Sequence, residues 1–115
     1  MVEITDEFMR GELPKARSYA AVFLKAGPNY GSEGARAVIW EHGRRNFELR
    51  AAGKLALVGP ITDESGYCGL GVFSTSLDEA RSLMDEDPGV RAGIFTYEVH
   101  PWRSFPGDGL PYREA

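Results

Sequence analysis

The sequence predicts an α+β fold built as two strand–helix–strand halves on one sheet. Three observations carry that prediction. An apolar run with strand periodicity spans Ser18 to Lys25, a helical stripe carries Val38, His42, Asn46 and Leu49, and a second strand, helix and strand follow between Tyr67 and Val99. At 115 residues the chain is read as one folded unit, with an arm over 1–17, a domain over 18–103 and a tail over 104–115.

The arm, Met1 to about Arg17, is mixed in character, carries Gly11 and Pro14, and is read as a short capping segment. In the strand Ser18–Lys25, Ala20, Val22 and Leu24 point to one side, and Tyr19, Ala21 and Phe23 to the other, so both faces are apolar. The stretch Ala26-Gly27-Pro28-Asn29-Tyr30-Gly31 breaks the chain into a loop. A helix is expected from Ser32 or Glu33 to Ala52, capped by Ser32 and stopped by Gly53. Val38, His42, Asn46 and Leu49, with Ile39 beside them, share its inner face, while Glu41, Arg44, Arg45, Glu48 and Arg50 are expected in solvent.

A strand from Lys54 or Leu55 to Val58 ends at Gly59-Pro60, and the loop Thr62–Gly66 turns it into a strand from Tyr67 to Ser74. Adjacency makes these two an antiparallel hairpin. Ser76-Leu77-Asp78-Glu79 has the form of a capping box, a hydroxyl three residues before an acid. The helix it opens carries Leu77, Ala80, Leu83 and Met84 inward and is expected to end near Asp87, before Pro88. A last strand, Gly93 to Val99, is expected to stop at Pro101-Trp102, and the Gly- and Pro-rich tail from Ser104 reads as loop. The order βαββαβ implies a ferredoxin-like sandwich, with right-handed crossovers putting both helices on one face of the sheet. The other face is left bare. Tyr19, Phe23 and some of Phe73, Phe95 and Tyr97 are expected there, and such apolar area predicts a homodimer closed face to face.

Composition excludes several functions. A formal net charge of -4 gives no basic footprint for nucleic acid. No apolar run approaches the length of a membrane span, about 18 residues. The first residues lack the basic start and apolar stretch of a secretory signal, so a cytoplasmic protein is expected. The one cysteine, Cys68, forms no internal disulfide and builds no thiolate metal site alone. No helical His-x-x-x-His or Glu-x-x-His spacing supports a metal, and no cofactor is expected.

Two residues draw attention as a pair. His42 sits where a core side chain belongs, either satisfied by a carbonyl or acting as a general acid or base, for which imidazole suits neutral pH. Apolar neighbours would desolvate the ring and a carboxylate would fix its tautomer, influences that oppose one another. Asp87 is the candidate partner, although Asp-Pro is also an ordinary helix boundary. Gly59-Pro60 either ends a strand or shapes a pocket floor. Ser74 and Glu98 could face a cavity, and Trp102 or Tyr97 could stack on a ring or pack at the sheet end. Lys25 and Arg44 could neutralise an anion, or simply be solvated. Gly69 and Gly71 alternate in a strand, which marks close approach more than a phosphate loop.

His42, then Gly53-Lys54-Leu55, Gly59-Pro60, Ser76-Leu77-Asp78-Glu79-Ala80, Asp87-Pro88, Gly93 and Val99-His100-Pro101-Trp102 follow in an order that resembles the YciI-like (YCII-related) family. The likeness covers Tyr19 to Trp102. It implies a dimeric ferredoxin-like α+β barrel with a histidine–aspartate active site, carried here onto His42 and Asp87, and kinship in fold with muconolactone isomerase. One branch of the family dehydrochlorinates a chlorinated hydroxyquinol, while most members have no assigned reaction. The long arm and the tail depart from the family pattern and put the pocket mouth in question. The function expected is a cofactor-free lyase or isomerase acting on a small cyclic or carbonyl-containing molecule. In that reading Gly59, Pro60, Ser74 and Trp102 line the site. The alternative is a non-catalytic dimer that binds a small ligand and regulates a neighbour.

Overall fold

The computed structural model describes residues 1–115. Four strands form one antiparallel sheet: β1 (Arg17–Ala26), β2 (Leu55–Pro60), β3 (Tyr67–Phe73) and β4 (Phe95–Ser104), in the spatial order β2-β3-β1-β4. With the helix α2 (Ala35–Ala51) between β1 and β2, and α3 (Leu77–Asp85) between β3 and β4, this is the ferredoxin-like arrangement the sequence predicts. The arm is not shapeless. It holds the helix α1 (Asp6–Glu12), whose N-terminus is capped by the Thr5 hydroxyl, followed by a 3-10 turn over Leu13–Lys15. Its helix buries none of its residues.

Register fixes which side chains meet the helices. Ala20, Val22 and Leu24 of β1 pair with Phe73, Gly71 and Gly69 of β3 and with Pro101, Val99 and Tyr97 of β4. Directly paired residues share a face of a sheet. The core accordingly joins Val22, Leu24, Phe73 and Phe95 from the sheet to Leu49 of α2 and to Ala80 and Met84 of α3. This corrects the expected composition of the bare face: Phe73, Phe95 and Tyr97 belong to the helix-covered side. Tyr19 and Phe23 do lie opposite, and their companions are Trp102, in contact with Tyr19, and His100 and Tyr67, both in contact with Phe23.

Three boundaries differ from expectation for identifiable reasons. Helix α2 begins at Ala35, not at Ser32, because Gly34 adopts φ 83° and turns the chain into the helix without a side-chain cap. Its other end behaves as read. Gly53 takes φ 77° and the N–H of Lys54 reaches back to the Leu49 carbonyl at 3.0 Å, a Schellman closure. The last strand does not stop at Pro101 but continues to Ser104, since β4 is an edge strand on which a missing N–H costs no ladder bond. The third difference concerns Asp87. Helix α3 ends at Asp85, and Asp87 opens a further short helix, α4 (Pro88–Arg91), as its N-cap, with Pro88 in the first helical position. No helix is long and apolar enough to cross a membrane.

Candidate functional site

Two local features carry His42 and Asp87 to one point. Helix α2 presents His42 from its inner face, four residues before Asn46. The α3–α4 junction aims Asp87 at the same spot, since its cap geometry fixes one carboxylate oxygen on the first turn of α4. Asp87 Oδ2 accepts from the N–H groups of Gly89 at 2.9 Å and Val90 at 3.2 Å. His42 Nδ1 lies 2.8 Å from Oδ1 and 2.9 Å from Oδ2. The two residues are 45 positions apart in the chain and in direct contact in the fold.

Burial makes the pairing consequential. Asp87 is 1% exposed and His42 12% exposed at the side chain. A carboxylate removed from water to that extent must be matched by donors. Here it has two backbone N–H groups, the imidazole N–H, and the guanidinium of Arg45, whose Nη1 stands 3.7 Å from Oδ1. Arg45 was expected in solvent. Instead its side chain is only 19% exposed, and its Nη1 is buried without a hydrogen-bond partner. The reason is its place on the helix, three residues beyond His42, which turns it toward the same acidic junction.

An ionised carboxylate only accepts, so the proton between the two side chains sits on His42 Nδ1. In the neutral ring Nε2 then carries the lone pair. Asn46 Nδ2 donates to that nitrogen at 3.3 Å. Phe95 holds the ring plane from the side, at 5.0 Å between centroids. The result is an imidazole with fixed tautomer and fixed orientation, one nitrogen committed to Asp87 and the other turned to Asn46 with its lone pair.

A cavity of about 310 Å³ opens beside it, between α2 and the β2–β3 side of the sheet. His42 and Asn46 line it together with Gly59 and Pro60. Gly69 and Gly71 face the helices in register with Leu24 and Val22 and also line the cavity, so the absent side chains keep its floor low. Eleven of its 18 lining residues are hydrophobic, and its polar side chains are those of His42, Asn46 and Cys68. Ser74 and Trp102 are not among them. The Ser74 hydroxyl donates to the Gly53 carbonyl at 2.7 Å, closing the end of α2, and Trp102 lies on the opposite face of the sheet against Tyr19. Glu98 and His100 share that opposite face, in register with Phe23 and Ala21. Lys25 lies 3.9 Å from Glu98, and Arg44 pairs with Glu41 in solvent.

The model of the YCII-related domain matches residues 18–103. The chain belongs to the YCII-related family. The sheet apart from its end residues Arg17 and Ser104, the His42–Asp87 pair and the cavity fall inside the matched residues; the arm helix lies outside them. Among solved structures, this YCII-related chain is similar to 5-chloro-2-hydroxyhydroquinone dehydrochlorinase (TftG) from Burkholderia phenoliruptrix AC1100, in complex with 2,5-dihydroxybenzoquinone. The two are 22% identical over 73% of this chain and 92% of that one, with a TM-score of 0.52, which shows a shared fold. No curated protein matches the chain.

Sequence reading missed Asn46 and Arg45 as parts of the site. The signal was there in spacing: positions three and four beyond a functional helical residue share its face.

Proposed function

We propose that this YCII-related protein is a cofactor-free acid/base enzyme, of lyase or isomerase type, acting on a small cyclic or carbonyl-containing molecule. The observation that carries the reading is the buried Asp87 holding His42 by Nδ1, which leaves Nε2 beside an apolar cavity of about 310 Å³. In this reading Nε2 removes a proton from a carbon next to a carbonyl or enol, and the electron pair left behind forms the new double bond. In elimination a leaving group departs with its own electron pair on the far side. In isomerisation the imidazolium returns the proton to a different carbon. Asp87 stabilises the imidazolium formed on the way and prevents the ring from turning. A positioned general base of this kind is worth about 10²–10⁴ in rate. The dehydrochlorinase activity of the similar TftG supports an elimination of this type.

The bare face of the sheet supports a homodimer. Trp102 is 44% exposed there, alongside half-buried Tyr19 and Phe23 and exposed Leu70. Sedimentation at micromolar concentration is expected to give twice the chain mass, and a stable monomer contradicts the pairing.

Turnover is tested by following a panel of cyclic ketones, lactones and hydroxylated ring compounds by NMR with the wild-type protein and with His42→Ala. The variant is expected to keep the wild-type circular dichroism and sedimentation and to lose turnover. Full activity in His42→Ala refutes the proposal.

A further inference from the structure

The arm and helix α2 each present a surface that the fold of one chain leaves uncovered. We infer that the arm of one copy seats on the outer face of α2 in a second copy, and that each copy thereby closes the mouth of the other's cavity. The inference goes beyond the acid/base reading and rests on the homodimer set out with it.

The arm has the character of a segment that packs on something. Helix α1 has seven residues, and a helix that short is marginal in water without a packing partner. It buries none of them, and Ile4, Phe8, Met9 and Leu13 are each at least 43% exposed. The root of the arm is tied to the end of the sheet. Arg17 donates to the carbonyls of Pro14 at 3.1 Å and Ala16 at 2.9 Å, and Arg103 donates to Ala16 at 3.2 Å. The radius of gyration, 16.6 Å, exceeds the roughly 13 Å of a compact domain of this length, as projecting ends require. A helix held off its own domain finds its cover on a second molecule.

The receiving surface lies on α2. Trp40 and Phe47 are 72% and 62% exposed, more than any other large hydrophobic residue of the matched domain. Trp40, Gly43 and Phe47 follow one another at steps of three and four and form one stripe. A Cβ at Gly43 would meet nothing within 4 Å, so a dip lies open between the two aromatic rings. The charges beside the stripe are Arg36, Arg44 and Arg50, whereas Glu41 and Glu48 fall on the neighbouring row with Arg45. Arg36 and Arg50 make no ion pair within the chain, and neither do Glu3, Asp6 and Glu7 of the arm. The arm's base Arg10 sits in the last turn of α1, where it suits the helix dipole. An apolar arm with free acids thus complements an aromatic stripe with free arginines. Reach is sufficient. In a face-to-face pair the partner's α2 stands roughly 20 Å from the sheet that carries the arm, one sheet spacing and one further layer. The helix with the residues before it spans about 25 Å. Gly43 and Phe47 also line the cavity, so an arm seated there covers its mouth.

The test places the photo-cross-linker p-benzoylphenylalanine at Phe8 of the full chain, irradiates the purified protein and maps the linked peptides by mass spectrometry. The expected product has twice the chain mass and joins position 8 to residues 36–50 of the other copy. Arg36→Glu with Arg50→Glu is expected to lose that product while keeping the wild-type circular dichroism and sedimentation. Adding Glu3→Lys with Glu7→Lys is expected to restore it. Links confined to one chain, links to Tyr19 or Trp102 on the bare sheet face, or no link at all overturn the inference. A link that survives in the arginine variant, or that the combined variant does not restore, overturns it too. The two readings fail distinguishably. A wild-type protein that sediments as a monomer removes the homodimer and this contact together, while a dimer that forms no link to α2 removes this contact alone.

Discussion

Replacing Asp87 by Asn isolates what the carboxylate contributes, because the change removes charge and one acceptor while preserving shape. The carboxylate accepts on two sides: from Gly89 and Val90 at Oδ2 and from His42 at 2.8 Å. An amide has one oxygen. Asn caps a helix about as well as Asp, so the oxygen is expected to stay on the α4 backbone. The NH₂ then faces His42, two donors oppose each other, and the ring must move its proton from Nδ1 to Nε2. The stability lost is one buried charge-assisted hydrogen bond, about 1.5–3 kcal/mol. Arg45 loses its nearest anion as well, which places the total toward the upper end of that range. For a domain of this size that corresponds to a melting point lower by about 10 °C. Activity falls further than stability, by about 100-fold or more, since Nε2 now carries a proton and cannot act as the base. Thermal unfolding by circular dichroism, paired with turnover well below the melting point, measures both. A variant that melts with wild type, or that retains full turnover, refutes the reasoning.

Two further outcomes are expected. Gly89→Ala puts a Cβ 2.6 Å from Phe95 Cδ2 and 3.1 Å from Asp87 Oδ2, so either the ring that supports His42 or the cap itself must shift. Alanine ordinarily stabilises a helix relative to glycine. Here overpacking is expected to outweigh that gain and destabilise by about 1–3 kcal/mol in urea unfolding, and a more stable variant contradicts the packing. The Tyr97 hydroxyl, raised to about 12 by desolvation and by its hydrogen bond to Asp85, makes stability fall with alkaline pH. The unfolded side chain ionises near about 10, so its contribution is complete below that pH and is lost as pH rises through the folded value. Tyr97→Phe is expected to flatten the decline in urea-unfolding stability between about pH 10 and about pH 12, and an unchanged slope excludes this tyrosine as its cause.

The order of the main elements was legible because α3 keeps a clear helical period and the Ser76 capping box and the Gly53 stop left local marks, whereas α2 has a weaker stripe, with Trp40 and Phe47 exposed. The His42–Asp87 contact was legible only through the family resemblance, since nothing local connects positions 45 apart. Asp87-Pro88 misled because one dipeptide serves two ends: it can stop a helix, and it can cap and begin the next. Pro101 misled for a related reason, since a proline ends a central strand but not an edge strand, and edge position is a property of the whole sheet. The faces of Phe73, Phe95 and Tyr97 depended on register with β1, which single-strand periodicity does not supply. Arg45 was assigned to solvent because it lies off the stripe of Val38, His42, Asn46 and Leu49, when the acid that draws it inward comes from the junction of α3 and α4.

The central claim is that Asp87 fixes His42 with its proton on Nδ1 and leaves Nε2 available in the cavity. A long-range ¹⁵N–¹H spectrum of the His42 ring, recorded with and without the panel of cyclic ketones, lactones and hydroxylated ring compounds, tests it most directly. The account predicts a ring proton held on Nδ1 against Asp87 and an Nε2 resonance that moves as a compound of the panel binds. A proton found on Nε2, or a ring that responds to no compound in the panel, contradicts it.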